Sequence, residues 1–157
     1  LNEESQARQL GDDAERLDIG AAGKAPWLEV ANVTHQTNAL YAPLPTGITA
    51  GLVTVSTMHT TTAVFVNEPQ TALLDDIQHM LERLVPRAEE WKHNDPRYSD
   101  CDRQNADAHL RAIMLGSSVT LQVAEGALTM GQWQRVLMAE LDGPRKRGLV
   151  LQVLAAS

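Results

Sequence analysis

One cysteine, Cys101, stands in a chain of 157 residues. A lone thiol excludes an internal disulfide and a cysteine-rich zinc site. Aromatic residues are scarce at 4%, so aliphatic side chains must supply most of the core. Positive charge is short as well: 13 Lys and Arg against 20 Asp and Glu give a formal net charge of −7. That balance argues against a nucleic-acid partner and against an anionic membrane surface. A small anionic ligand needs only a few local arginines and stays open. No apolar run approaches the roughly 20 residues of a membrane span, and the polar first residues carry no secretory apolar region; a cytoplasmic protein is the expectation. The chain also lacks a Gly-rich phosphate loop, a dinucleotide fingerprint, a Gly-x-Ser-x-Gly elbow and a His-Glu-x-x-His helix.

What is present is organised around residues 52–68. Two Val- and Thr-rich runs, 52–58 and 61–67, predict a pair of strands, with His59 and Thr60 to Thr62 between them. Residues 1–24 read as an N-terminal appendage with one or two helical turns over Ser5 to Leu17, and 25–157 as a single domain. Trp27 to Thr37 predicts a first strand, and the prolines and glycines of 38–51 forbid a long helix. From Pro69 to Val85 the residues Leu73, Leu74, Ile77, Met80, Leu81 and Leu84 recur at helical spacing, with Pro69 read as the first helical residue after Asn67 and Glu68. His79 falls on the polar face.

Residues 86–104 form a long polar loop, a type that is often functional. Asn105 caps a short predicted helix, Ala106 to Leu115, closed by Gly116; His109 in it faces inward or to a rim. The last third predicts a strand over Ser118 to Val123, a hairpin turn at Ala124 to Ala127, a strand over Arg135 to Leu141 with a helix as the alternative, a turn at Asp142 to Arg145, and a final strand over Leu149 to Leu154. The class is α+β: a mostly antiparallel sheet with one long and one short helix packed on it.

Three histidines stand at element junctions, His59, His93 and His109, near the carboxylates Glu68, Asp95 and Asp107 and the arginines Arg145 and Arg147. Imidazole supplies an acid or base near neutral pH, or a metal ligand, and a catalytic metal site needs only three protein ligands. The commoner fate of any one histidine is a hydrogen-bonded structural role. The hydroxyls of Thr57 and Thr60 to Thr62 have two readings, phosphate contacts or caps on a strand end. Trp133 after Gly131 is by default a core or interface residue.

The ordered pieces Met58-His59-Thr60-Thr61-Thr62-Ala63, Asn67-Glu68, Leu84-Val85-Pro86, His93-Asn94-Asp95, Asn105-Ala106-Asp107-Ala108-His109-Leu110, Gly131-Gln132-Trp133-Gln134 and Asp142-Gly143-Pro144-Arg145-Lys146-Arg147 resemble the YjbQ-like family, also called the secondary thiamine-phosphate synthase family. The likeness departs at 42–47, where the family usually has a regular helix. It implies an α+β domain in a homotrimer, and a weak coupling of a pyrimidine diphosphate with a thiazole phosphate alcohol beside a principal role on another small anionic or phosphorylated molecule. It implies His59, His93, His109 and Glu68 as catalytic residues, and Thr60, Thr61, Asp95, Asn105, Trp133, Gln134 and Arg145 as ligand-binding ones. A divalent metal, zinc or magnesium, on His59, His93 and His109 is a further expectation. The rival expectation is a non-catalytic ligand-binding or trimeric assembly protein whose histidine cluster is structural.

Overall fold

The computed structural model describes residues 14–19, 29–32, 48–143, 145 and 147–156, the first two stretches as backbone alone. Among the described residues there are eight strands: β1 Ala14–Ile19, β2 Glu29–Asn32, β3 Ala50–Thr57, β4 Thr62–Asn67, β5 Ser118–Ala124, β6 Ala127–Leu128, β7 Arg135–Glu140 and β8 Arg147–Ala155. Two α-helices, α1 Thr71–Leu84 and α2 Ala106–Leu115, and a short 3-10 turn at Lys92–Asn94 lie between β4 and β5. The strands form a five-stranded sheet in the order β1-β8-β3-β5-β6 and a three-stranded sheet β2-β7-β4, antiparallel at every pairing.

Side-chain alternation along the strands explains how these sheets stack. In β3 every second residue, Val53, Val55 and Thr57, is buried, the period-2 pattern of a strand with one face on a core. Val53 and Val55 join Val64, Val123, Val136, Met138, Leu149 and Leu151 in a cluster drawn from both sheets. The neighbours of opposite parity, Ala63 of β4 and Ala139 of β7, face the other way and pack with Leu81, Ala108, Ala112 and Leu141. The order of layers is therefore five-stranded sheet, three-stranded sheet, helices. Four of those residues are alanines, Ala63 and Ala139 on the sheet and Ala108 and Ala112 on α2, which lets α2 approach the sheet closely.

Strand β7 is buried along nearly its whole length, because it is central in its sheet and covered on both faces. Such a strand reads as a continuous apolar run, which is why a helix competed with it in the sequence; the structure shows a strand. Helix α1 begins two residues after Pro69, since Gln70 is the capping residue and its Oε1 accepts the Leu73 N–H at 2.7 Å. Helix α2 has the expected bounds and ends at Gly116 with φ +93°. The β5–β6 hairpin turns on Glu125 and Gly126, at φ +53° and +75°, the mirror-image turn that suits strand twist.

One expectation is corrected in the N-terminal segment. Ala14–Ile19 is not helical but a strand laid along β8, with Ala14 opposite Gln152 and Ile19 opposite Arg147. Its partner is far away in sequence, so local propensity carried no sign of it. The rest of residues 1–24, the ends of the predicted strand 27–37 with His35, and the stretch 42–47 lie outside the described residues. Among the described residues no helix is long and apolar enough to cross a membrane.

Candidate functional site

At one end of the three-stranded sheet β4 begins and β7 stops, with Thr62 opposite Glu140. Three connections converge there: the β3–β4 turn, the start of α2, and the β7–β8 turn. They enclose a cleft of about 280 Å³ lined by Met58, His59, Thr60, Thr61, Arg103, Asn105, His109, Asp142, Arg145 and Arg147, a volume suited to a small molecule or a group of one.

The β3–β4 turn is locked by its own hydroxyls. The His59 N–H donates to Thr57 Oγ1 at 3.2 Å, Thr57 and Thr62 share a hydrogen bond at 2.5 Å, and Thr62 Oγ1 donates to the His59 carbonyl at 3.2 Å. Because Thr62 spends its hydroxyl proton on that carbonyl, the bond between the two threonines is donated by Thr57. The result is a closed ring that holds His59 at the lip of the cleft. Of the two readings of the threonines, Thr57 and Thr62 take the structural one. Thr60 is exposed in the cleft wall, and Thr61 Oγ1 accepts from Arg147 Nη2 at 3.3 Å. The Gly148 N–H points at His59 Nε2 at 3.4 Å; with Nε2 accepting, the neutral ring carries its proton on Nδ1.

Asn105 departs from the expected cap. It occupies the N-cap position, yet its side chain makes no capping bond; the Ala106 N–H is taken at 3.0 Å by Asn94 Oδ1 from the preceding loop. The Asn105 amide instead donates through Nδ2 to Asp142 Oδ2 at 3.0 Å. The same carboxylate oxygen receives Arg103 at 2.9 Å and Arg145 at 3.4 Å. Below them, Arg147 pairs with Glu140 through both Nε and Nη2, and the Asp142 N–H donates to Glu140 Oε1 at 2.9 Å.

His109 lines the cleft, and His93 packs behind it edge to face, ring centroids 5.1 Å apart at 78°. The buried His93 Nε2 has no hydrogen-bond partner. Burial, and next the neighbouring His93, hold the His109 imidazole below its ordinary value, against an opposing pull from Asp142. His109 is therefore neutral at pH 7, a ring with one donor and one acceptor rather than a cation.

Of the residues expected at the site, His59, Thr60, Thr61, Asn105, His109 and Arg145 come together at this cleft. His93 is one layer back. Glu68 lies beyond the far end of β4, six strand residues or roughly 20 Å from the turn, and Trp133 and Gln134 sit in the turn just before β7 at that same far end, where Asn67 faces Arg135. Trp133 is 64% exposed, and Gln134 Oε1 is engaged by the Gly131 N–H at 2.7 Å. Asp95 is held by Arg97, whose hydrogen bonds keep its carboxyl below the usual range, and it does not line the cleft. Among the described residues no three His, Cys, Asp or Glu side chains are grouped to hold a metal ion, so His59, His93 and His109 stand as a single ring and a separate pair.

Sequence reasoning missed Arg103, gave Asp142 no site role although it stands in one of the ordered pieces, and named Arg147 with Arg145 as a charge for a leaving group. Asp142 before Gly143 reads as a turn former, and Arg103 as one charge in a solvated loop. One local signal exists in the fold, not the sequence: Gln104, between Arg103 and Asn105, has φ +51°, a left-handed conformation uncommon for such a residue.

A sequence profile described as "UPF0047 protein YjbQ-like" matches residues 24–156. A UPF0047 protein of Archaeoglobus fulgidus is 47% identical over 104 residues, 66% of this chain and 78% of that protein. One from Methanothermobacter thermautotrophicus is 43% identical over 107 residues, 68% and 71% of the two chains. In solved structures, a YbjQ-like protein from Sulfolobus solfataricus superposes with a TM-score of 0.77 at 30% identity, covering 91% of this chain and 96% of its own. A protein of Aeropyrum pernix does so with a TM-score of 0.77 at 33% identity, covering 91% and 98%. Fold and sequence agree, and the chain belongs to the UPF0047 YjbQ-like family.

Proposed function

We propose that the cleft binds a small phosphorylated molecule and promotes loss of its phosphate-bearing leaving group. The observation that carries this is the local charge: in a chain of net charge −7, Arg103, Arg145 and Arg147 line a single small cleft with Asp142, and Glu140 beneath it answers only Arg147. Guanidinium groups held in a partly dry site stabilise charge that develops on a leaving phosphate. His109, whose pKa burial and the neighbouring His93 lower, adds a neutral ring with one N–H at the cleft wall.

The finer activity we assign is the coupling of a pyrimidine diphosphate with a thiazole phosphate alcohol, as a secondary reaction. The carbon–oxygen bond to the diphosphate breaks with its electron pair on the leaving group, and the thiazole nitrogen lone pair forms the new bond to that carbon. The nitrogen gains the positive charge and diphosphate leaves as the anion, so no proton has to move. Such leaving groups are commonly handled with Mg²⁺ on carboxylates and phosphate oxygens. The cleft offers arginine in place of clustered carboxylates, which fits a slow coupling and a principal substrate of another kind, small and phosphorylated.

The test is a product assay with both substrates. The wild type is expected to form thiamine phosphate slowly, and Arg145→Gln to cut the rate at least tenfold with the melting temperature unchanged. A wild type that forms none removes the coupling assignment. A second reading, an assembly of three copies that binds a ligand without turnover, is favoured by the exposed apolar side chains Leu52 and Leu154, which face each other across β3 and β8, and by Trp133. A solution mass of three chains together with no product in that assay supports it; a monomer contradicts the assembly, and product formation contradicts the absence of turnover.

A further inference from the structure

The three arginines of the cleft differ in what their charge already answers. Arg147 is 11% exposed, and both its Nε and Nη2 lie on Glu140, whose side chain is 4% exposed. Its Nη2 also reaches Thr61 Oγ1 at 3.3 Å. One partly buried guanidinium is matched by one buried carboxylate, and the contact braces the turn after β7 against the turn before β4.

Arg103 and Arg145 are arranged otherwise. Their side chains are 43% and 37% exposed, they come from different connections, and both end on the same oxygen, Asp142 Oδ2. That oxygen also accepts from Asn105. Among the described residues one carboxylate thus faces two guanidiniums, one positive charge more than it answers. Each guanidinium carries five N–H donors and reaches the carboxylate through a single terminal nitrogen. Between Arg103 and Asn105, which meet on that oxygen, Gln104 has a left-handed φ of +51°, uncommon for such a residue.

We propose that Arg103 and Arg145 form a two-sided clamp for one phosphoryl group, with Arg147 a structural brace that does not bind it. This rests on the anion-binding reading of the cleft and narrows it. A planar carboxylate is satisfied by one guanidinium fork. A phosphoryl group presents three oxygens in different directions and close to two negative charges, and so draws donors from two sides at once. Asp142 holds the two like charges together before the ligand arrives.

The experiment is titration calorimetry on the full chain at fixed ionic strength, with inorganic pyrophosphate and malonate as probes. The wild type is expected to bind pyrophosphate at least tenfold more tightly than malonate. Arg103→Gln and Arg145→Gln are each expected to weaken pyrophosphate binding at least tenfold with an unchanged melting temperature, because both side chains are exposed. If the wild type binds neither probe, the anion reading of the cleft itself falls. If it binds pyrophosphate and either variant binds as tightly as the wild type, the clamp is overturned while that reading stands. Equal affinity for malonate overturns the phosphoryl assignment.

Discussion

Asp107 and Arg111 show how much a single pair decides. They stand one helical turn apart in α2, N to O 3.2 Å, each side chain 1% exposed. Neither Asp107 oxygen, nor Arg111 Nη1, has a well-aligned hydrogen bond, so the attraction is chiefly between charges. Arg111 also donates to the Val85 carbonyl through Nε and Nη2, at 3.2 and 2.7 Å, tying α2 to the end of α1. Burial lowers the Arg111 pKa and Asp107 offsets this. Asp107→Ala strands a buried guanidinium, and we expect a loss of about 3–5 kcal/mol in urea unfolding; a loss under about 1 kcal/mol contradicts the role given to the pair.

His109 carries the pH prediction at the same scale. Its folded pKa lies below the ordinary value of 6.5, so between those two values the unfolded chain holds the proton and the folded chain does not. Stability therefore rises with pH through that window. It is fully present above about 6.5 and is lost as pH falls toward the folded pKa. Urea midpoints of the wild type and His109→Gln at several pH values check this: the variant should show a shallower decline on acidification, and equal slopes would remove the assignment.

Elements depend on close approaches that propensity does not reveal. Gly51 lies in β3 opposite Ala155, and a Cβ there would stand 2.2 Å from the Leu154 carbonyl oxygen. That oxygen is backbone in a paired strand and has no side chain to rotate away. Gly51→Ala is expected to push β8 from β3 and cost about 1–3 kcal/mol, read as a lowered urea midpoint. An unchanged midpoint would mean that the pairing is looser than drawn. Elements with a local signature were legible in the sequence: the Val/Thr alternation of β3 and β4, the helical repeat of α1 before Pro86, and Gly116 after α2. Strand β1 was not, because its pairing with β8 spans the chain. The site divides in the same way. His59, Asn105, His109 and Arg145, singled out from the ordered motifs, line the cleft; Asp142, in the same motif as Arg145, and Arg103 look like ordinary turn and loop charges until the chain closes. Glu68, Trp133 and Gln134 share those motifs but stand at the opposite end of the sheet, since a strand carries its two ends apart.

In the whole molecule, the sheet-sheet-helix stack brings three connections to one sheet end and leaves a cationic cleft in an acidic chain. An acidic surface repels large polyanions, while a small anion reaches the arginines once inside. On the proposed anion-binding reading, opposite charge at that end would select by size as well as by sign. The most direct measurement is a crystal structure of the full chain grown with inorganic pyrophosphate. The account predicts density for the anion between Arg103 and Arg145 on one side and His59 on the other. Pyrophosphate found only elsewhere on the surface, with this cleft empty, would contradict it.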